Sequence, residues 1–128
     1  MPTKYEASFS VNVTGETTGE VFPGVFKVKT RLSHRDALNR DQIRRSLLGP
    51  NPAGASPRAE SIADIFSELG VRIVDAPSWW VNSDGGMELS DDAVVAEVYK
   101  QAMAAAQVAN DELKAKGEAA KKDLASGE

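Results

Sequence analysis

The residue types that most often carry chemistry are scarce in this sequence. His34 is the single histidine and cysteine is absent, which excludes a cysteine nucleophile, a disulfide and a thiolate-bound metal. A catalytic triad or an imidazole relay would have to run through His34, which follows a predicted helix cap inside an arginine-rich stretch. We therefore predict no catalytic residue and a protein that is not an enzyme.

Four carboxylates lie close together in the second half of the chain, at Asp84, Glu88, Asp91 and Asp92. Carboxylate oxygens are the ligands that Ca²⁺ and Mg²⁺ prefer. The spacing does not match an EF-hand loop, and two of the four suit the positive end of a helix that begins there. The glycine pair at 85–86 has no lysine or downstream acid in the pattern of a phosphate-binding loop. We predict no metal ion and no cofactor.

A cluster of arginines is the best candidate for contact with another macromolecule. Arginines can neutralise phosphates, but Asp36 and Asp41 lie among them, no aromatic residue is interleaved, and the isoelectric point is about 5.1. We therefore expect them to bind an acidic neighbouring protein rather than nucleic acid. The cluster consists of Arg31, Arg35, Arg40, Arg44 and Arg45.

The formal net charge of −4 is unevenly distributed along the chain. Residues 1–30 sum to 0, residues 31–58 to +4 and residues 59–128 to −8. Such a split suits docking on copies of the same chain or on a partner of mixed charge, because complementary charge favours encounter and register. The alternative is a solvated surface on which the two signs are merely separated.

The adjacent tryptophans Trp79 and Trp80 have two interpretations. Large aromatic side chains either fill a core or act as the energetic centre of an interface. Adjacent residues rarely point the same way, so we expect one tryptophan in the core and one in contact with a partner.

The first thirty residues have the pattern of a β-hairpin. Apolar and polar residues alternate from Tyr5 to Val13, which is the period of a half-buried strand. A polar turn with two glycines follows, and a second strand is predicted from Val25 to Thr30 after Pro23-Gly24. Two strands are marginally stable alone, so their apolar face must be covered.

The remaining elements are predicted to be helical, with one short exception. Ser33 and Ser56 are candidate caps for helices over about 34–48 and from Pro57 to near Gly70. The segment 71–74 is either a third strand or a continuation of the second helix. A long final helix is capped at Ser90, with an alanine-rich face suited to close packing.

These elements predict one α+β domain over residues 1–109, followed by a charged C-terminal tail rich in alanine and lysine over residues 110–128. The domain consists of a hairpin packed with two short helices and the long C-terminal helix. A tail of this composition should fray when free in water. The sequence has no membrane-spanning run and no recognisable secretory signal, so we expect synthesis in the cytoplasm and no membrane contact.

Five segments of the sequence form distinctive motifs. They are Thr18-Gly19-Glu20-Val21-Phe22-Pro23-Gly24-Val25-Phe26-Lys27-Val28-Lys29, Leu47-Leu48-Gly49-Pro50-Asn51-Pro52, Asp75-Ala76-Pro77-Ser78-Trp79-Trp80, Gly85-Gly86-x-x-Leu89-x-Asp91 and Val95-x-x-Val98-Tyr99. In these motifs the chain resembles small proteins encoded among the morphogenesis genes of tailed bacteriophages. The similar region covers about residues 5–105.

The resemblance implies one of two roles. Accessory capsid proteins cement, decorate or stabilise the shell and stay in the virion, where their partner is the major capsid protein. Tail assembly chaperones bind the tape measure protein during tail building and are then lost. The hairpin that opens this chain and the alanine-rich tail that closes it depart from a typical chaperone. We therefore expect an accessory capsid protein, made in the host cytoplasm and located in the virion, with self-association left open.

Overall fold

The computed structural model describes residues 5–126, and describes residue 52 and residues 123–126 by their backbone only. It contains a three-stranded antiparallel sheet and four α-helices, which confirms the predicted α+β class with a long C-terminal helix. In chain order the elements are β1 (Glu6–Thr14), β2 (Val21–Lys29), α1 (His34–Leu48), a 3-10 turn (Pro52–Gly54), α2 (Pro57–Arg72), β3 (Ile73–Asp75), α3 (Ser78–Val81) and α4 (Asp92–Ser126).

The hairpin register follows from the alternation of apolar residues. Phe9 lies opposite Phe26 and Ala7 opposite Val28, so one face of the β1–β2 pair is apolar and turns inward. The second strand begins at Val21 rather than at the predicted Val25 and includes Pro23. Strand β3 pairs with β2 only near Lys27 and Val28, so no strand lies beside position 23 on the β3 side. Proline, which lacks a backbone N–H, therefore costs no hydrogen bond to β3 at this position.

Side-chain caps fix the starts of the first two helices. Ser33 accepts the backbone N–H of Asp36 as α1 begins, with the reciprocal bond of a capping box, and α1 ends at Gly49, whose φ is +82°. Ser56 accepts the backbone N–H of Ala59 at 3.1 Å as α2 begins. The predicted bounds of α1 and start of α2 are confirmed.

Both predictions for residues 71–74 are partly right. Helix α2 continues past Gly70 to Arg72, and the chain then enters β3, which pairs antiparallel with β2. The order of strands in the sheet is β1-β2-β3, so β2 is central and β3 is an edge strand.

The core lies where α2, α3 and α4 cover the inward face of the sheet. Phe26, Val28, Leu69, Val98 and Ala102 are almost completely excluded from solvent. The alanine-rich face of α4 therefore packs closely, as predicted, and α4 lies mainly against β1.

Helix α4 crosses the predicted boundary between domain and tail without a break and runs to Ser126. Asn110 still contacts the domain, because its side-chain amide donates to the carbonyl of Thr30 at 2.9 Å. Beyond it the helix is mostly exposed up to residue 122. In the part of the chain that the structure describes, no helix is both long and apolar enough to cross a membrane.

Candidate protein-binding groove

The Pro23-Gly24 segment of β2 receives the start of α3. The indole Nε1 of Trp79 donates to the carbonyl of Pro23 at 2.7 Å, and its ring packs edge-on against Phe22 and Phe26. A side chain at position 24 would overlap Pro77, so glycine makes room for this contact. Two motifs far apart in sequence therefore form one packing unit.

A third motif completes this unit beneath Trp80, which is only 3% exposed. Gly86 has a φ of +87°, and a Cβ there would lie 2.6 Å from the Trp80 ring. Trp80 is therefore a core residue, whereas Trp79 is half-buried. The expected division between the two tryptophans places Trp80 inside, and a partner contact through Trp79 stays a prediction.

A groove of about 450 Å³ opens beside this unit, between α1 and the segment formed by β3 and α3. The end of α2 forms its floor, with Phe66, Leu69 and Gly70, and Trp80 contributes from below. Ile43 lines the opposite wall on α1. The lining is predominantly apolar, as in sites that bind apolar groups.

The rim of the groove carries exposed aliphatic side chains. Val81 is 61% exposed and Val74 48% exposed, and Leu47 and Met87 are also exposed. All four line the groove. Single exposed hydrophobic residues are common on proteins, but a contiguous group around a concave surface indicates a place where another molecule binds.

A second depression of about 550 Å³ continues the groove toward the start of α1. The two share Ile43, Gly70, Ile73 and Val74, so together they form one channel between α1 and β3, which we call the α1–β3 groove. An ion pair between Lys29 and Asp36, 3.1 Å long, lies at the end of this second depression. The backbone N–H of Ser33 and the Lys29 ammonium hold the pKa of Asp36 below its usual range.

The other end of the groove is acidic. Asp75 and Asp84 line it, and neither forms an ion pair with any residue in the described range 5–126. Asp84 has a φ of +57°, which holds it in the tight turn before Gly85 and Gly86. The groove therefore combines an apolar floor with uncompensated negative charge at one end.

Four of the five predicted arginines have partners within the chain. Arg40 pairs with Glu68 at 3.0 Å and Arg44 with Asp64 at 2.6 Å, so both join α1 to α2. The Asp64 hydrogen bond raises the pKa of the Arg44 guanidinium. The basic and acidic segments of the sequence thus partly neutralise each other inside the fold.

The other three arginines of the cluster are exposed. Arg45 pairs with Asp41 along α1, and Arg31 donates to Asn110 and lies over the Tyr5 ring. Arg35 has no ion pair or hydrogen bond with the described residues. Among the five, it is the arginine that has no hydrogen bond, ion pair or ring contact with a described residue.

Sequence reasoning missed the network that supports the floor of the groove. Glu68 binds Arg40 from α1 and Arg72 from its own helix, and Arg72 also donates to the carbonyl of Lys29 at 2.9 Å. The side chains of Glu68 and Arg72 are largely buried. The i, i+4 spacing of these two residues was a visible signal, but their links to α1 and β2 were not.

Sequence reasoning also misplaced the start of α4. Asp91, rather than Ser90, caps the helix: its Oδ1 accepts the backbone N–H of Ala93 at 3.2 Å. Its Oδ2 accepts the backbone N–H of Thr17 at 2.9 Å. This hydrogen bond and the other backbone hydrogen bonds that the carboxylate accepts lower the pKa of Asp91. The residue is almost fully buried and ties the hairpin turn to α4.

The described residues, 5–126, contain no group of three or more histidine, aspartate or glutamate side chains arranged to hold a metal ion. His34 is exposed at the first position of α1.

No family model, curated protein or solved structure matches this chain. Its function must therefore be inferred from the residues and their geometry, and the α1–β3 groove with its exposed aliphatic rim is the candidate binding surface.

Proposed function

We propose that the chain is a non-enzymatic structural protein of a tailed bacteriophage virion, and that it acts as an accessory capsid protein bridging neighbouring subunits. The major capsid protein is its expected partner, and the α1–β3 groove is the surface that binds it. The observation that carries this proposal is the group of exposed aliphatic side chains around the groove, with Val81 and Val74 the most exposed.

The energetics suit a bridging role. Apolar surface contributes about 25 cal/mol for each Å² removed from water, so a groove of this size supplies a modest affinity for one partner segment. A shell presents many copies of the same contact, and linked contacts reinforce one another. A small domain can therefore stabilise a large assembly without a tight individual interface.

The exposed arginines provide a second contact. Arg35 and Arg45 lie on the solvent side of α1, away from the groove lining. Acidic groups on a neighbouring subunit would pair with them and orient the domain as it binds. Contacts of this type are weakened by salt, because exposed charges are screened over about 8 Å at physiological ionic strength.

Quantitative mass spectrometry of purified virions of the encoding phage tests the proposal. We expect this chain in mature particles at a fixed ratio to the major capsid protein. Its presence in tail-assembly intermediates together with the tape measure protein, and its absence from mature particles, would replace the proposal with a tail assembly chaperone.

A further inference from the structure

The α1–β3 groove runs beside the free edge of the sheet. We propose that it binds an extended segment of a different protein, which adds as a strand to β3 and carries a lysine or arginine toward Asp75 and Asp84. The aliphatic side chains of that segment lie on the apolar floor. This inference rests on the proposed function and specifies the chemistry of the partner segment.

The backbone supplies the first argument. Strand β3 has β2 on one side, and within residues 5–126 no strand pairs with its other side. An edge strand presents backbone N–H and C=O groups to which an extended chain can bond, and alternate side chains then enter neighbouring pockets. Helix α1 borders the groove from Asp36 to Leu47, about 17 Å along its axis, which matches about five residues of extended chain.

Charge supplies the second argument. The channel has one end occupied by the Lys29–Asp36 ion pair and one end with the unpaired carboxylates of Asp75 and Asp84. Lys27 lies opposite Asp75 in register on β2 but forms no ion pair with it. A basic side chain on the incoming segment would compensate these carboxylates, whereas an acidic one would be repelled.

The same charges argue against a second copy of this chain as the occupant. The two edges of the sheet are β1, whose only charged residue is Glu6, and β3, whose only charged residue is Asp75. The strand that carries lysines, β2, is central and already paired on both sides. Pairing either edge of a second copy with β3 would add a carboxylate to the acidic groove, so the structure favours a different, basic partner.

A direct test uses a fluorescein-labelled peptide of six alternating threonine and valine residues followed by two lysines, with binding to the full chain measured by fluorescence anisotropy. We expect saturable binding, at least tenfold tighter than that of the same peptide ending in two glutamates. The Asp75→Asn/Asp84→Asn variant should bind the lysine peptide about tenfold more weakly than the unmodified chain does, because two exposed ion pairs are lost.

The Glu16→Gln/Glu20→Gln variant is the matched control, since it changes the net charge equally in the exposed hairpin turn. It should bind the lysine peptide within about twofold of the unmodified chain. Equal weakening by both double variants would mean non-specific attraction to an acidic protein and would overturn the proposal, as would equal affinity for the two peptides.

Strand addition is tested by hydrogen exchange. The N–H of Ile73 already donates to the carbonyl of Leu69, so the readout is the backbone amides of Val74 and Asp75. The lysine peptide should slow their exchange, and a peptide with proline at the alternate threonine positions should neither bind nor protect them. Binding of the lysine peptide without this protection would overturn strand addition. If the chain binds capsids but fails these peptide tests, the inference is wrong and the proposed function stands. If the chain is absent from virions but passes the peptide tests, the proposed function is wrong and the inference about the groove stands.

Discussion

The Asp91 carboxylate accepts the backbone N–H of Thr17 at 2.9 Å, joining residues 74 positions apart in the sequence. Its other oxygen accepts the backbone N–H of Ala93, where α4 begins. Gly15 lies against the same carboxylate, and a side chain there would overlap it. One buried residue therefore positions both the hairpin turn and the longest helix.

Replacement of this carboxylate should destabilise the whole domain. We expect Asp91→Asn to lower Tm by several degrees, because the amide nitrogen cannot accept the N–H groups that one carboxylate oxygen now binds. Circular dichroism during heating at pH 7 measures the change. Asp92→Asn is the matched control, since Asp92 is exposed and, within the described residues, its side chain forms hydrogen bonds with Arg58. Equal shifts in the two variants would contradict the role assigned to Asp91.

The stability of the domain should fall in acid in a way that depends on Asp91. The pKa of Asp91 is lower in the folded chain than its unfolded value of about 3.9, so its stabilising effect is complete above that value and is lost as the pH falls through the folded pKa. We expect the Tm of the unmodified chain to fall more steeply than that of Asp91→Asn below about pH 4. The pKa of Asp36 is also lowered in the folded chain, so the Tm of Asp91→Asn should still fall in acid, but less steeply. Parallel curves would contradict this prediction.

Local signals in the sequence predicted the parts of the fold that depend on neighbouring residues. The alternation from Tyr5 to Val13 identified the first strand, and Ser33, Gly49 and Ser56 set helix boundaries that the structure confirms. Each of these signals acts over a few residues, through side-chain period or a cap hydrogen bond.

The groove and its supports could not be predicted in the same way, because they depend on contacts between distant segments. Gly24 gives no sign in sequence that Pro77 packs above it, and Asp91 reads as one more acidic residue at a helix start. The arginine cluster was identified, but the internal partners of Arg40 and Arg44 lie on another helix. The hydrophobic period of the sequence therefore predicted the helices and strands that border the α1–β3 groove, but it did not predict the groove between them.

Gly70 offers a substitution that should stabilise the fold. It lies within α2, and a Cβ there would meet Ile43 at 3.4 Å, an ordinary contact distance. We expect Gly70→Ala to raise the free energy of unfolding by about 0.5–1 kcal/mol, because alanine loses less backbone entropy in a helix. Urea denaturation measures this change.

Gly85→Ala is the corresponding control for backbone conformation. Position 85 has open space but a φ of +63°, so alanine there should destabilise by about 1 kcal/mol. Destabilisation by Gly70→Ala of the same size would show that α2 does not continue through this residue as a regular helix.

The arginines should separate into structural and exposed groups. Arg40→Ala removes the link from α1 to the largely buried Glu68, so we expect a loss of about 1 kcal/mol in unfolding free energy. Arg35→Ala removes a charge without a described partner and should change the free energy of unfolding by less than about 0.5 kcal/mol. In capsid binding at low salt, Arg35→Ala should nevertheless weaken the association. Unchanged capsid binding at every ionic strength would mean that Arg35 belongs to a solvated face.

The most direct test of the proposal that the α1–β3 groove binds the capsid compares variants at two exposed aliphatic residues. Val81 is 61% exposed on the rim of the α1–β3 groove. Leu38 is 68% exposed on α1 and does not line the groove. The assay measures co-sedimentation of the purified Val81→Glu and Leu38→Glu variants with capsids, lacking this protein, of the phage that we propose encodes it. Equal Tm values first establish that both variants are folded. We predict at least tenfold weaker binding for Val81→Glu and near-normal binding for Leu38→Glu. Normal binding by Val81→Glu would contradict the assignment of the groove as the partner-binding surface.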